Sequence, residues 1–131
     1  LSIAECRLKE KNMTPDYLKN RTKQFGLAVI RLVESLPKSL TAGVIGKQVL
    51  RSATSVGANY RAVCRARSKP DFIAKLGIVE EEIDESGYWL ELLIDANIVR
   101  QAAVTRLLAE VNELTAIVVA SRKTALSSKT R

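Results

Sequence analysis

The sequence predicts an all-α protein, an antiparallel up-down-up-down four-helix bundle. Three observations predict it. Apolar residues recur every three or four positions along most of the chain. Two helix starts, Thr14-Pro15-Asp16 and Ser68-Lys69-Pro70-Asp71, combine a capping hydroxyl, an early proline and a first-turn acid. Glycine and proline, at six and three, are too few for the turns of a sheet-rich domain. At 131 residues one compact domain is the default, and 47% hydrophobic residues suffice for a core.

The first helix follows Thr14 and carries the stripe Leu18, Phe25, Val29, Leu32 and Leu36 until Pro37 stops it. The second carries Ile45, Val49, Ser52, Val56, Tyr60 and Val63 and ends near Arg67. The third carries Phe72, Leu76, Val79, Ile83, Ser86, Leu90 and Ile94, with Asn97 placed to end it. The fourth carries Val104, Leu108, Val111, Thr115 and Val118, broadened by Leu107 and Leu114. Helices of roughly 20 to 25 residues are about 30–38 Å long, and short connections make neighbours antiparallel. The bundle is expected over residues 13–126, between a flexible tail at 1–12 and a frayed tail at 127–131. Leu1 is either a non-ATG start or precedes a start at Met13.

Composition narrows the chemistry. The chain has no His, which removes histidine acid–base catalysis and imidazole metal sites. Its two cysteines, Cys6 and Cys64, cannot make a Cys₄ zinc site or a disulfide framework, and fit a reducing cytoplasm. No apolar run approaches the roughly 18 residues of a membrane span. Glu81 and Glu85 stand one turn apart, but no second helix offers a matching inward carboxylate, so they read as a charged outer face. No glycine-rich phosphate loop and no activated nucleophile is legible, so neither an enzyme, a cofactor nor a metal is expected. Cys64 has Arg61, Arg65 and Arg67 nearby, which would lower its pKa if they faced it; the simpler reading is a packed thiol.

Charge is unevenly distributed. With 21 Lys+Arg against 14 Asp+Glu the chain carries +7. Residues 39–67 hold five basic residues and no acid, while residues 68–97 hold eight acidic and two basic residues. On the second helix Lys47, Arg51, Arg61 and Arg65 fall within about 80° of one another, opposite the apolar stripe, and span roughly 27 Å. Thr54 and Ala58 keep the middle of that face flat. This is the candidate nucleic-acid surface; the alternative is a solvated face, or salt bridges to the acidic third helix. The only nearby aromatic, Tyr60, is on the far side, so contact with phosphates rather than base stacking is expected.

Small polar residues border the apolar stripes. Ser52, Ser55 and Asn59 on the second helix and Glu82 and Ser86 on the third are expected to form an interhelix polar seam, with Asn59 buried against Ser86 or Glu82. Leu27, Ile30, Ile78, Tyr88, Trp89 and Leu92 flank or oppose the stripes and are the candidate oligomer interface.

The stretch from Leu50 to Val99 resembles the bacterial four-helix-bundle proteins first noted in intervening sequences of 23S ribosomal RNA genes. The resemblance rests on Leu50-Arg51-Ser52, Ser55, Gly57-Ala58-Asn59-Tyr60-Arg61, Arg65, Ser68, Asp71-Phe72-Ile73, Lys75-Leu76 and Glu82 through Leu93. It implies an antiparallel four-helix bundle, a pentameric barrel-like assembly and no catalysis. It also implies nucleic-acid binding, since a similar bundle serves as the accessory protein of diversity-generating retroelements. Where that family commonly has an acid after the Asn59-Tyr60-Arg61 equivalent, this chain has Ala62. The expected function is a cytoplasmic, non-enzymatic homo-oligomer that binds RNA through a basic face of the second helix. The alternative is a protein-interaction adaptor with no direct nucleic-acid contact.

Overall fold

A computed structural model describes residues 14–128. It contains helices α1 (Pro15–Glu34), α2 (Leu40–Val63), α3 (Lys69–Asp95) and α4 (Gln101–Ser127), and no strand among the described residues. The expected tail at 1–12, Met13 and residues 129–131 lie outside the described residues. At the other end α4 runs through Ser127, and Lys69 Nζ from the start of α3 donates to the Ser128 carbonyl.

Local chemistry sets the boundaries. Thr14 Oγ1 accepts the Tyr17 N–H at 3.0 Å, Ser39 Oγ accepts that of Ala42 and Ser68 Oγ that of Asp71, so three helix starts are capped by hydroxyls. Pro15 and Pro70 occupy first-turn positions, where no N–H is needed. At the end of α3, Asn97 takes φ 59°. Its N–H reaches the Ile94 carbonyl and the Ile98 N–H reaches the Leu93 carbonyl, at 2.9 and 3.0 Å, a Schellman ending built on asparagine.

Consecutive helices pack side by side, most extensively α2 on α3 and least α1 on α4. The core holds Leu18, Phe25 and Val29 of α1, Val49, Val56 and Tyr60 of α2, and Phe72, Leu76, Ile83 and Leu90 of α3. These are the stripes read from the sequence. Leu36, Ile45 and Ile94, at the stripe ends, are half-buried. On α4 the stripe is corrected. Burial follows Val104, Leu107, Val111, Leu114, Val118, Ser121 and Ala125, and Leu108 and Thr115 lie on the flank. Two overlapping stripes share 104, 111 and 118; the one completed by two leucines buries more apolar surface than the one completed by Leu108 and Thr115.

Two further features shape the surface. Gly26 and Gly57 let α1 and α2 approach closely: a Cβ on Gly57 would meet the Thr22 backbone at 3.5 Å. Arg21 ties α1 to α4, with its Nε and Nη2 both 2.7 Å from the Glu110 carboxylate and Nη2 3.1 Å from Glu113.

The left-handed conformation at Asn97 generates a stability prediction. Asn97→Gly should leave the urea midpoint unchanged or raise it. Asn97→Val, whose branched Cβ opposes positive φ, should cost about 1–2 kcal/mol.

Candidate nucleic-acid interface

The α2–α3 seam fixes the register on which the surface depends. Ser86 Oγ donates to the Glu82 carbonyl at 2.8 Å and shares a hydrogen bond with Ser52 Oγ at 3.0 Å, and both serines are fully buried. Ser55 Oγ donates to Glu82 Oε2 at 3.1 Å. Asn59 is half-buried, and its expected partner is corrected: Nδ2 donates to the carbonyl and hydroxyl of Ser55, one turn back on its own helix, at 2.9 and 2.7 Å. Ser55, one turn nearer the middle of α2, meets Glu82 in its place.

The seam continues outward to Arg51. Its guanidinium pairs with Glu85 and, at 3.5 Å, with Glu82. Trp89 Nε1 donates to the same Glu85 carboxylate at 3.0 Å. The Trp89 donor, joined by Arg51, holds the Glu85 carboxyl below the usual carboxylate range.

The expected basic stripe therefore divides. Arg51 belongs to the seam with α3, as the salt-bridge alternative required for that residue. Arg61 and Arg65 are exposed and have no ion pair among the described residues. Lys47 is exposed at the far end of α2, beside the α1–α2 turn. Three acids of α3 are engaged elsewhere: Glu80 meets Arg122 of α4 at 2.6 Å, and Glu82 and Glu85 meet Arg51.

Positive charge concentrates instead at the α2–α3 corner. Arg61, Arg65, Arg67, Ser68, Asp71 and Lys75 surround an open cleft of about 750 Å³, and the short side chains of Ala58 and Ala62 leave it room. Arg61 also borders a second groove of about 560 Å³ between α1 and α2, where Lys19 and Lys23 join it. The basic surface thus runs across two helices, from Lys19 and Lys23 through Arg61 and Arg65 to Arg67. Sequence reasoning missed Lys19, Lys23, Arg67 and Lys75, because it followed one helix face. Arg67 lies in the link beyond α2, and the two lysines reach the surface only through the close α1–α2 approach.

The expected oligomer residues separate into groups. Leu27 and Ile30 line the α1–α2 groove. Ile78 and Tyr88 are exposed on α3, and Leu92 is half-buried there. Trp89 is half-buried against the core, edge-to-face with Tyr88 at 5.0 Å, so its indole already has an intramolecular role. Cys64 packs against the core, in line with the simpler of its two readings. Burial pushes its thiol up, outweighing a lowering by the Tyr60 hydroxyl, while Arg61, Arg65 and Arg67 line the corner cleft. Cys6 lies outside the described residues. Among the described residues no helix is long and apolar enough to cross a membrane, and no three metal-ligating side chains are grouped.

The lowered Glu85 pKa has a definite sign. Its stabilisation is complete above the unfolded-state carboxylate pKa and is lost as pH falls through the lowered folded-state value. Glu85→Gln should cost under about 1 kcal/mol at neutral pH, since the pair is partly exposed. The difference between the two proteins should shrink towards acid, read from urea midpoints across that range.

A family model described as 23S rRNA-intervening sequence protein matches residues 18–120. Among solved structures, the chain is similar to a protein of unknown function from the S23 ribosomal protein family of Bacteroides thetaiotaomicron VPI-5482. The two are 33% identical, with 80% of this chain and 97% of that chain covered and a TM-score of 0.75. No curated protein matches the chain. With the matched region spanning all four helices that carry the seam and the basic corner, the chain belongs to the 23S rRNA-intervening sequence protein family.

Proposed function

We propose that this protein is a cytoplasmic, non-enzymatic homo-oligomer that binds RNA by its phosphate backbone, and that it assembles as the pentamer the family resemblance implies. The observation that carries the reading is the run of Lys23, Arg61, Arg65 and Arg67, exposed on adjoining elements and without a carboxylate partner among the described residues. Lys19, at its edge, has only a 3.9 Å contact with the well-exposed Asp16. Clustered cations that the fold leaves unneutralised attract a polyanion and release its counterions on binding. The lack of an aromatic side chain lining the corner cleft supports backbone contact over base readout.

Several observations support a non-catalytic role. Ser52 and Ser86 are fully buried and bonded to carbonyls and to each other, out of reach of a substrate, and the Glu82 carboxylate that Ser55 meets is also paired with Arg51. The chain has no histidine, and the Cys64 thiol is held in its neutral form. A second reading, a protein-interaction adaptor, is favoured by the α1–α2 groove, where Leu27 and Ile30 offer apolar surface. Oligomerisation through Leu27 and Ile30 or through Ile78 and Tyr88 uses the same kind of surface.

Fluorescence anisotropy with single-stranded RNA across a salt series separates these readings. Four phosphate contacts per subunit should give a log–log salt slope near about −2.8 on single strands, steeper if several subunits engage one RNA. Arg61→Glu with Arg65→Glu should abolish binding while helicity and the light-scattering mass stay unchanged; Lys47→Glu, remote from the corner, should do less. Salt-insensitive capture of a protein partner, with no RNA retained, would favour the adaptor, and a monodisperse monomer at micromolar concentration would remove the oligomer.

A further inference from the structure

We propose that the cleft at the α2–α3 corner is a phosphate-group site, in which Arg61, Arg65 and Arg67 grip the oxygens of one phosphate; this deepens the RNA-binding reading and rests on it for the identity of the ligand.

The walls of the cleft differ in how their charge is used. Asp71 is the one acid lining it. Its carboxylate takes the Lys75 ammonium and the Arg67 backbone N–H, and these hold it ionised below the usual carboxylate range. Asp71 and Lys75 thus neutralise each other. The three guanidiniums keep no carboxylate within ion-pair distance among the described residues. Arg61 stands in the last turn of α2, which ends at Val63, and Arg65 and Arg67 follow in the link to α3; all three line the cleft.

Three exposed guanidiniums without a carboxylate partner suit an anion with several acceptor oxygens. A tetrahedral phosphate suits them better than a planar carboxylate, because each guanidinium fork can take a different pair of oxygens. The attraction is carried by side-chain charge, since the first turn of α3 is already capped by Ser68. Ala58 and Ala62 add room but no polar or aromatic group, so the cleft selects phosphate rather than base. The phosphate can come from an internal phosphodiester or from a strand's 5′ end.

The test uses the full chain and two probes. The arginine Nε–H NMR signals are followed during titration with inorganic phosphate. RNA affinity is measured with short single strands of one sequence carrying a 5′-phosphate or a 5′-hydroxyl. Ala62→Glu places a carboxylate among the guanidiniums and keeps every arginine; Arg67→Gln, in the link, is the second variant, and circular dichroism checks both. Phosphate should move the signals of Arg61, Arg65 and Arg67 in the natural protein and not in Ala62→Glu. RNA affinity should fall about tenfold or more in either variant. The salt slope should flatten by about one in Arg67→Gln. Preference for the 5′-phosphorylated strand assigns a terminal phosphate, and equal affinity an internal one; both uphold the site. Undisturbed signals together with RNA binding that survives both variants would overturn the cleft and leave RNA binding standing elsewhere on the basic face. Phosphate-shifted signals with no RNA bound at low salt would overturn the RNA reading and leave the cleft as a site for a small phosphate compound.

Discussion

The buried hydroxyl pair between Ser52 and Ser86 is the constraint from which the rest of the surface follows. Two serines fully removed from water, 3.0 Å apart across the most extensive helix contact in the bundle, satisfy each other only in one register of α2 against α3. A slip by a turn would break the contact between the helices while each hydroxyl kept a carbonyl on its own helix, Val49 for Ser52 and Glu82 for Ser86, so the loss is that of one hydrogen bond, about 0.5–1.5 kcal/mol. The pair is therefore a device of specificity more than of net stability. Once it is fixed, Ser55 falls opposite Glu82 and Arg51 opposite Glu85, and the seam grades from buried hydroxyls to an exposed ion pair.

The same register decides where positive charge survives. α2 and α3 run antiparallel, so the acids at residues 80–85 lie level with Arg51 and Ser55 near the middle of α2. The later part of α2 lies level with the start of α3. Between Asp71 and Glu80 the only charged residue of α3 is Lys75, and Lys75 takes Asp71, so no unpaired acid of that stretch is left for Arg61 and Arg65. Two helices of opposite overall charge pack together, and their register leaves one end of the pair strongly basic. A uniform pairing of the acidic helix with the basic one would have left a surface with nothing to offer a phosphate.

Much of this architecture was legible in the sequence, because it is written in local terms. Helix starts at Thr14 and Ser68, the stop at Asn97 and the stripes of α1 to α3 rest on spacing and capping chemistry within one segment. The seam serines were legible for the same reason, since small polar residues at the edge of an apolar stripe stand out. What escaped depends on which helices touch and how closely. Arg51 read as part of a basic face because its glutamate partners lie over thirty residues away in sequence. The Arg21–Glu110 pair spans 89 residues and joins the first helix to the last, beyond any periodicity argument. Lys19 and Lys23 join Arg61 only because Gly26 and Gly57 bring α1 against α2. On α4, two stripes of equal spacing could be drawn from the same residues, and only packing chose between them.

RNA bound as proposed would lie at the basic corner left by the α2–α3 register. The most direct measurement is a photo-crosslinking map of an RNA complex read by mass spectrometry of the crosslinked peptides. Crosslinks should concentrate in the peptides that carry Arg61 to Lys75, with a second group around Lys19 and Lys23. Crosslinks confined to α4 or to the acidic face of α3, with the corner peptides unmodified, would contradict that placement.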